Sequence, residues 1–226
     1  TLDALLAGRY VGQITCGQLL RYGDTGIGTV DKLDGEMVVM DGTVYQVKAD
    51  GKVYRPAPGL STPFAAVVAF HADRSVSINQ PLTMAQLEDE LYRLCPNTNG
   101  FYALQVRGTF ARMKTRSVPV QHVPYPPLTE AVKSQAVFEM TNVTGRIIGF
   151  RCPPFAKGVN MPGYHLHFIT EDLNAGGHVL DFVLQQAVIE ADTCHRFVLI
   201  MPQDEAALGQ VDLTRDRSGE LEKVER

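Results

Sequence analysis

The chain has 226 residues, enough to bury a proper core in one large domain or two small ones. Hydrophobic residues make up 45% of it and the formal net charge is −4, as for a globular protein rather than a polyelectrolyte. No apolar run reaches about 18 residues, so a membrane-spanning helix is not expected. There is no basic patch to meet a phosphate backbone, so neither nucleic acid nor a membrane surface is an expected partner, and a small molecule is.

The opening TLDALLAGRYVGQ has no charged stretch followed by an apolar one, so this chain shows no signal peptide, although a longer precursor could have lost one. The cytoplasm is the expected location, with a secreted form as the alternative. Next, GTVDKLDGEMVVMDGTVYQV (28–47) contains three strand-like runs, with turns at Gly35 and at Asp41-Gly42, a strong hairpin signal. TPFAAVVAFHA (62–72) is a longer apolar run that predicts a buried strand. LTMAQLEDELYRLC (82–95) predicts a helix: Thr83 and Gln86 form a capping-box pattern, and Leu87, Leu91 and Leu94 recur at helical spacing. FYALQVRGTFARMKTRSVP (101–119) returns to a strand pattern, with a break at Gly108.

PVQHVPYPPLTE (119–130) carries four prolines and is the best linker candidate. A weaker helix, LTEAVKSQ, follows it. From residue 136 onward the pattern is strand-like with glycine turns, until the charged tail LTRDRSGELEKVER, which on composition would be a frayed surface segment. Cys16, Cys95, Cys152 and Cys194 lie far apart with no CxxC pair, and are expected to be free thiols in a reducing compartment.

Three of the six histidines fall in GYHLHFITEDLNAGGHVLDF (163–182). On a strand, His165 and His167 share a face, about 7 Å apart at Cα. Tyr164, Leu166 and Phe168 then point the other way, into a core. EDLNAGG supplies a turn. If the hairpin folds about Asp172 and Leu173, His178 lies opposite His167, with Cβ atoms about 5 Å apart. If the turn is centred on Gly176, His178 is displaced along the strand. Three convergent imidazoles with an open fourth position make a catalytic zinc arrangement, and imidazoles suit other divalent metals too. His71, His122 and His195 have no such company and are expected to be unrelated. Arg112, Lys114 and Arg116 alternate on one strand face, which fits either a carboxylate-binding surface or a solvated one. Glu36 enters a strand that becomes MVVM, where burial would raise its pKa toward general-acid use.

Taken in order, GDTGIGTVDKLDGEMVVMDGTVYQ, KTRSVP and GYHLHFITEDLNAGGHVLDF resemble the acetolactate decarboxylase family, over nearly the whole chain. The resemblance implies that His165, His167 and His178 are ligands of Zn²⁺, or of another divalent metal. It implies functional roles for Glu36 and Arg116, and for a glutamate near the C-terminus that falls on Glu225, with Glu222 as fallback and Glu220 behind it. The tail would then fold back over the metal. Backbone near Thr29 and Val118 would line the pocket. The implied fold is α+β, strand-rich, with two domains of mixed and antiparallel sheets: residues 1–122, and residues 123–226 carrying the three-histidine site. The implied assembly is a homodimer. The implied reaction converts (S)-2-acetolactate to (R)-acetoin and CO₂, through an enediolate whose charge the metal stabilises and which a glutamate protonates on one face.

Two other classes compete. HLHFITE carries the HxH-then-Glu pattern of a cupin's first motif, with Glu171 as fourth ligand, which would mean a dioxygenase or isomerase. The matching second motif is missing, since only DTCHRF lies downstream. A non-catalytic, metal-dependent binder of small ligands would need the histidines but neither Glu36 nor Arg116.

Overall fold

The computed structural model describes residues 1–201 and 209–224. Thirteen strands and five short or medium α-helices are named among the described residues. The helices are α1 (Leu2–Leu6), α2 (Cys16–Leu19), α3 (Met84–Leu94), α4 (Leu128–Ala131) and α5 (Ser218–Val224). The strands are β1 (Ile14–Thr15), β2 (Thr25–Thr29), β3 (Glu36–Met40), β4 (Thr43–Val47), β5 (Val53–Tyr54), β6 (Ser61–Thr62), β7 (Ala65–Val68), β8 (Arg74–Ile78), β9 (Leu82–Thr83), β10 (Phe101–Ser117), β11 (Ala136–Cys152), β12 (Gly163–Thr170) and β13 (Gly176–Cys194). This is the strand-rich α+β architecture that the resemblance implies.

Two sheets matter for function. A five-stranded antiparallel sheet runs in the order β5-β4-β3-β2-β7. Its β3–β4 turn is built as the Asp41-Gly42 pair dictates, with φ of +51° and +73°. The second sheet runs β10-β11-β12-β13-β8, and β13 also pairs with β10, so its ladder closes into a ring. The proline-rich stretch after residue 118 connects β10 to β11, which pair with each other from Tyr102↔Arg151 to Ser117↔Ala136.

Alternation sorts the side chains of this ring. Leu166 and Phe168 of β12 join Leu104, Phe110, Met113, Ile147, Phe182 and Leu184 in one core cluster, which Leu87 and Leu91 of α3 also enter. α3 starts where Thr83 and Gln86 complete a capping box. The opposite face of the ring packs on the five-stranded sheet: Ile148, Phe150 and Ile169 meet Ile27, Val38 and Tyr45. His165 and His167 lie on that second face, so they look into the gap between two sheets rather than into solvent. A third cluster closes one end of the gap, where Leu2, Leu5 and Leu6 of α1 meet Leu33, Phe64, Val118, Leu128 and Val224.

Two local expectations change. The run 62–72 gives only the short strand β7, whose four residues are half-buried, because it is the edge of its sheet. Gly108 does not break β10. The strand continues past it, with register shifts against β13 on either side of Phe110, and a side chain at 108 would meet the Gln186 carbonyl at 2.2 Å, so the glycine permits close strand approach. The four cysteines are free.

Candidate active site and metal centre

The hairpin turn fixes where the third histidine goes. Thr170 Oγ1 and the Asp172 carboxylate both accept the Asn174 N–H at 3.1 Å, and Leu173 takes a left-handed φ of +58°. The turn therefore centres on Asp172 and Leu173, and the pairs are Ile169↔Gly176, Phe168↔Gly177 and His167↔His178. Gly177 has φ +131°, and a Cβ there would lie 2.5 Å from the Arg116 carbonyl, so only glycine lets β13 approach β10 here. On that other flank of β13, His178 pairs with Arg116.

The three imidazole rings sit with centroids 5.1, 5.1 and 5.4 Å apart, and one ligand atom of each lies within 4.8 Å of the others. All three are buried. His167 Nδ1 lies 2.8 Å from the Met37 carbonyl, which can only accept, so Nδ1 carries the proton and Nε2 keeps a lone pair. That Nε2 is buried without a hydrogen-bond partner, as is His165 Nδ1. His167 Nε2 also faces Glu36 Oε2 at 3.5 Å. A lone pair and a carboxylate oxygen at that distance repel, unless a cation lies with them. Burial, and then the Arg116 charge, pushes the His165 pKa down to about 3. Burial with neighbouring positive charge holds His167 and His178 well below the ordinary value as well. Neutral imidazoles are the ligand form, so the donor set fits a divalent metal.

Glu36 comes from the other sheet. It begins β3 and lies opposite Thr29 on β2 and Val47 on β4. Thr29 Oγ1 donates to the Gly35 carbonyl at 2.7 Å. Arg116 Nη1 donates to Glu36 Oε1 at 3.3 Å, and Nη2 donates to the Val224 carbonyl at 3.1 Å. Arg116 Nε is buried with no acceptor, a donor already desolvated. The pocket in front of these groups is small, with a cavity volume of about 40 Å³. Thr29, Glu36, Arg116 and the three histidines form its polar wall; Leu2, Leu33, Phe64, Val118, Leu128 and Val224 are among its apolar lining.

Comparison with known proteins gives the family of the chain. A family model described as alpha-acetolactate decarboxylase matches residues 1–215. The chain belongs to the alpha-acetolactate decarboxylase family. It is 45% identical over 226 residues to the alpha-acetolactate decarboxylase of Methanosarcina mazei, covering all of this chain and 78% of that one. It is 40% identical over 225 residues to that of Methylococcus capsulatus, covering all of this chain and 86% of that one. The crystal structure of the Bacillus subtilis enzyme superposes with a TM-score of 0.96 at 37% identity, over all of this chain and 96% of the other. The protein is therefore an enzyme of the carboxy-lyase class.

Within this family fold, the structure brings Glu36, Arg116, His165, His167, His178, Thr29 and Val118 to one pocket. Arg112 and Lys114, alternate with Arg116 in sequence, do not join it. Arg116 is buried near the end of β10, where it meets Glu36 of the other sheet, while Arg112 pairs with Asp181 at the surface. Glu171 is exposed in the hairpin turn and is not in the histidine group, so the fourth-ligand role drawn from HLHFITE has no geometry here. His71, His122 and His195 are exposed and apart. Of the tail glutamates, Glu225 lies outside the described residues. Glu222 is exposed, and Glu220 is engaged by Arg215 and Arg217. The tail itself is not frayed at residues 218–224: α5 packs Val224 into the pocket end, next to α1 and α4. Apart from Val118, the apolar wall was not legible in the sequence, because a lone Leu33, Phe64 or Leu128 carries no sign that separates pocket lining from core.

Proposed function

We propose that this site decarboxylates (S)-2-acetolactate to (R)-acetoin and CO₂ with one divalent metal, zinc by preference, held by His165, His167 and His178. The observation that carries the reading is the meeting of Glu36, Arg116 and three neutral imidazoles in one buried pocket. The bound metal would supply Lewis-acid polarisation of the substrate's hydroxyl and ketone oxygens. Arg116 would hold the substrate carboxylate, with its open Nε and with donors now spent on Glu36 and Val224. That orients the bond to be broken. As the C2–carboxylate bond breaks, CO₂ leaves and the electron pair moves toward the neighbouring ketone carbon, giving an enediolate. A carboxylic acid then delivers one proton to C2. Glu36 is the donor assigned here, with Glu225 as the second carboxyl of the site. Delivery from one wall of a closed pocket gives a single enantiomer. Leu33, Phe64 and Leu128 form an apolar wall that the two methyl groups would meet.

The test is acetoin formation and its handedness, measured before and after chelation and metal add-back. Chelated enzyme at full activity would overturn the metal's role, and racemic acetoin would overturn delivery from one face.

A homodimer is proposed as well. Phe197 to Met201 form five consecutive apolar residues, each 43 to 56% exposed, more than a lone chain ordinarily shows to water. Sedimentation at micromolar protein checks it. The unpaired cysteines support a reducing, cytoplasmic setting.

A further inference from the structure

Residues 115–118 tie four parts of the site together. Thr115 Oγ1 donates to the Gly176 carbonyl at 2.8 Å, two residues before His178. Arg116 reaches Glu36 at 3.3 Å. Ser117 Oγ donates to the Val47 carbonyl at 2.8 Å. The Val118 carbonyl accepts the Gly35 N–H at 3.0 Å. Thr115 and Ser117 are fully buried.

The last two anchors bracket Glu36. Gly35 precedes it in the chain, and Val47 is its partner across the β3–β4 ladder. The segment that carries the guanidinium therefore grips the carboxylate's strand pair from both sides. This matters because an Arg–Glu pair does not locate itself. Both side chains are long, and holding them in one geometry costs rotamer entropy. The tethers supply the geometry instead. Val118 to Gly35 is a backbone-to-backbone bond, whereas Ser117 to Val47 is made by a side chain. Ser117 does not line the pocket, so it acts without touching substrate, and it lies on neither strand that bears a histidine.

We propose that Ser117 is a positioning residue for the decarboxylation: its hydroxyl fixes β4, and through the ladder β3 with Glu36, against the end of β10 that presents Arg116. This rests on the reading in which Glu36 and Arg116 act on the substrate. The rival is a plain buried hydroxyl that satisfies a carbonyl and serves only the core.

Four variants of the metal-loaded full chain separate the two: Ser117→Ala, the near-isosteric Ser117→Cys, Glu36→Gln, and Ser117→Ala with Glu36→Gln together. Metal content, melting temperature, kcat and KM are measured for each. For Ser117→Ala the expected result is wild-type metal content, a melting point within a few degrees, KM within about twofold, and kcat lower by about tenfold. Ser117→Cys, with a weak S–H donor, regains part of that loss. In the Glu36→Gln background, adding Ser117→Ala costs less than about twofold, because the group it positions has already gone. Full kcat in Ser117→Ala overturns the proposal. So do losses that multiply in the double variant, or loss of metal or fold in both Ser117 variants. If the wild type releases no CO₂ from acetolactate, or Glu36→Gln matches it, the proposed function itself fails and takes this inference with it.

Discussion

The two sides of the pocket are made in different ways. The histidine side is local: one hairpin of adjacent strands, set in register by its own turn, carries all three imidazoles. The Glu36–Arg116 side is assembled from two sheets, 80 residues apart in sequence, and is completed by the Val224 carbonyl, 108 residues beyond Arg116. A hairpin needs few long-range contacts to take shape. The carboxylate–guanidinium pair exists only when both sheets and α5 have docked. Damage to the first side should therefore remove the metal, and damage to the second should spare the metal while removing chemistry.

The largest expected effect tests the first half of that contrast. His167→Ala should abolish metal binding and reduce acetoin formation to background, measured by metal analysis and CO₂ release. Full metal content in this variant would erase the distinction. Next, Arg116→Ala should keep metal but lower kcat/KM by two orders of magnitude or more, about 3 kcal/mol, because it removes the carboxylate's holder and leaves Glu36 buried beside the metal. Arg116→Lys should recover little, since an ammonium cannot present a planar fork.

Glu36→Gln should also keep metal, with kcat down by about 10²–10⁴ and a smaller change in KM. If metal is lost instead, Glu36 belongs to the histidine side. Acidification sharpens the contrast from another direction. The histidines are neutral in the folded protein, with His165 held down to about 3 against an ordinary 6.5. Between those values the unfolded chain binds protons that the folded site refuses, so stability falls as pH drops below about 6.5 and is regained as pH rises. The same protons compete with metal. A thermal-melt series from pH 7 to 4, with metal analysis at each point, checks both. Glu171→Ala, the smallest effect, should leave metal and turnover unchanged.

The difference between the sides also explains what could be read from sequence. The hairpin was legible because strand alternation and turn residues are short-range signals. They left two registers open, and the choice between them was made by the Thr170–Asp172–Asn174 hydrogen bonds and by the contact of Gly177 with β10. The helix at Thr83 was legible for the same reason, its cap being spelled out within four residues. Arg116 could not be told from Arg112 and Lys114 by pattern, because the three alternate alike along β10 and contact with Glu36 of the other sheet sets Arg116 apart. Resemblance, rather than periodicity, singled it out. The proline-rich stretch read as a linker, yet it joins two strands that pair along their whole length, a relation no local composition reports. Apart from Val118, the pocket's apolar wall was invisible, since Leu2, Leu33, Phe64 and Val224 come from four parts of the chain.

Leu2 and Val224 share one cluster beside the three histidines, which bears on synthesis as much as on catalysis. The segment around Leu2 must meet the segment around Val224 before the cavity is sealed. The β12–β13 hairpin can form and capture a cation while the final turn of α5 is still inside the ribosome. Arg116 cannot reach the Val224 carbonyl until that turn emerges. A nascent chain held just short of it should therefore load metal without turning over substrate, and a bulky fusion after Val224 should be tolerated less well than one in the exposed Asp41-Gly42 turn.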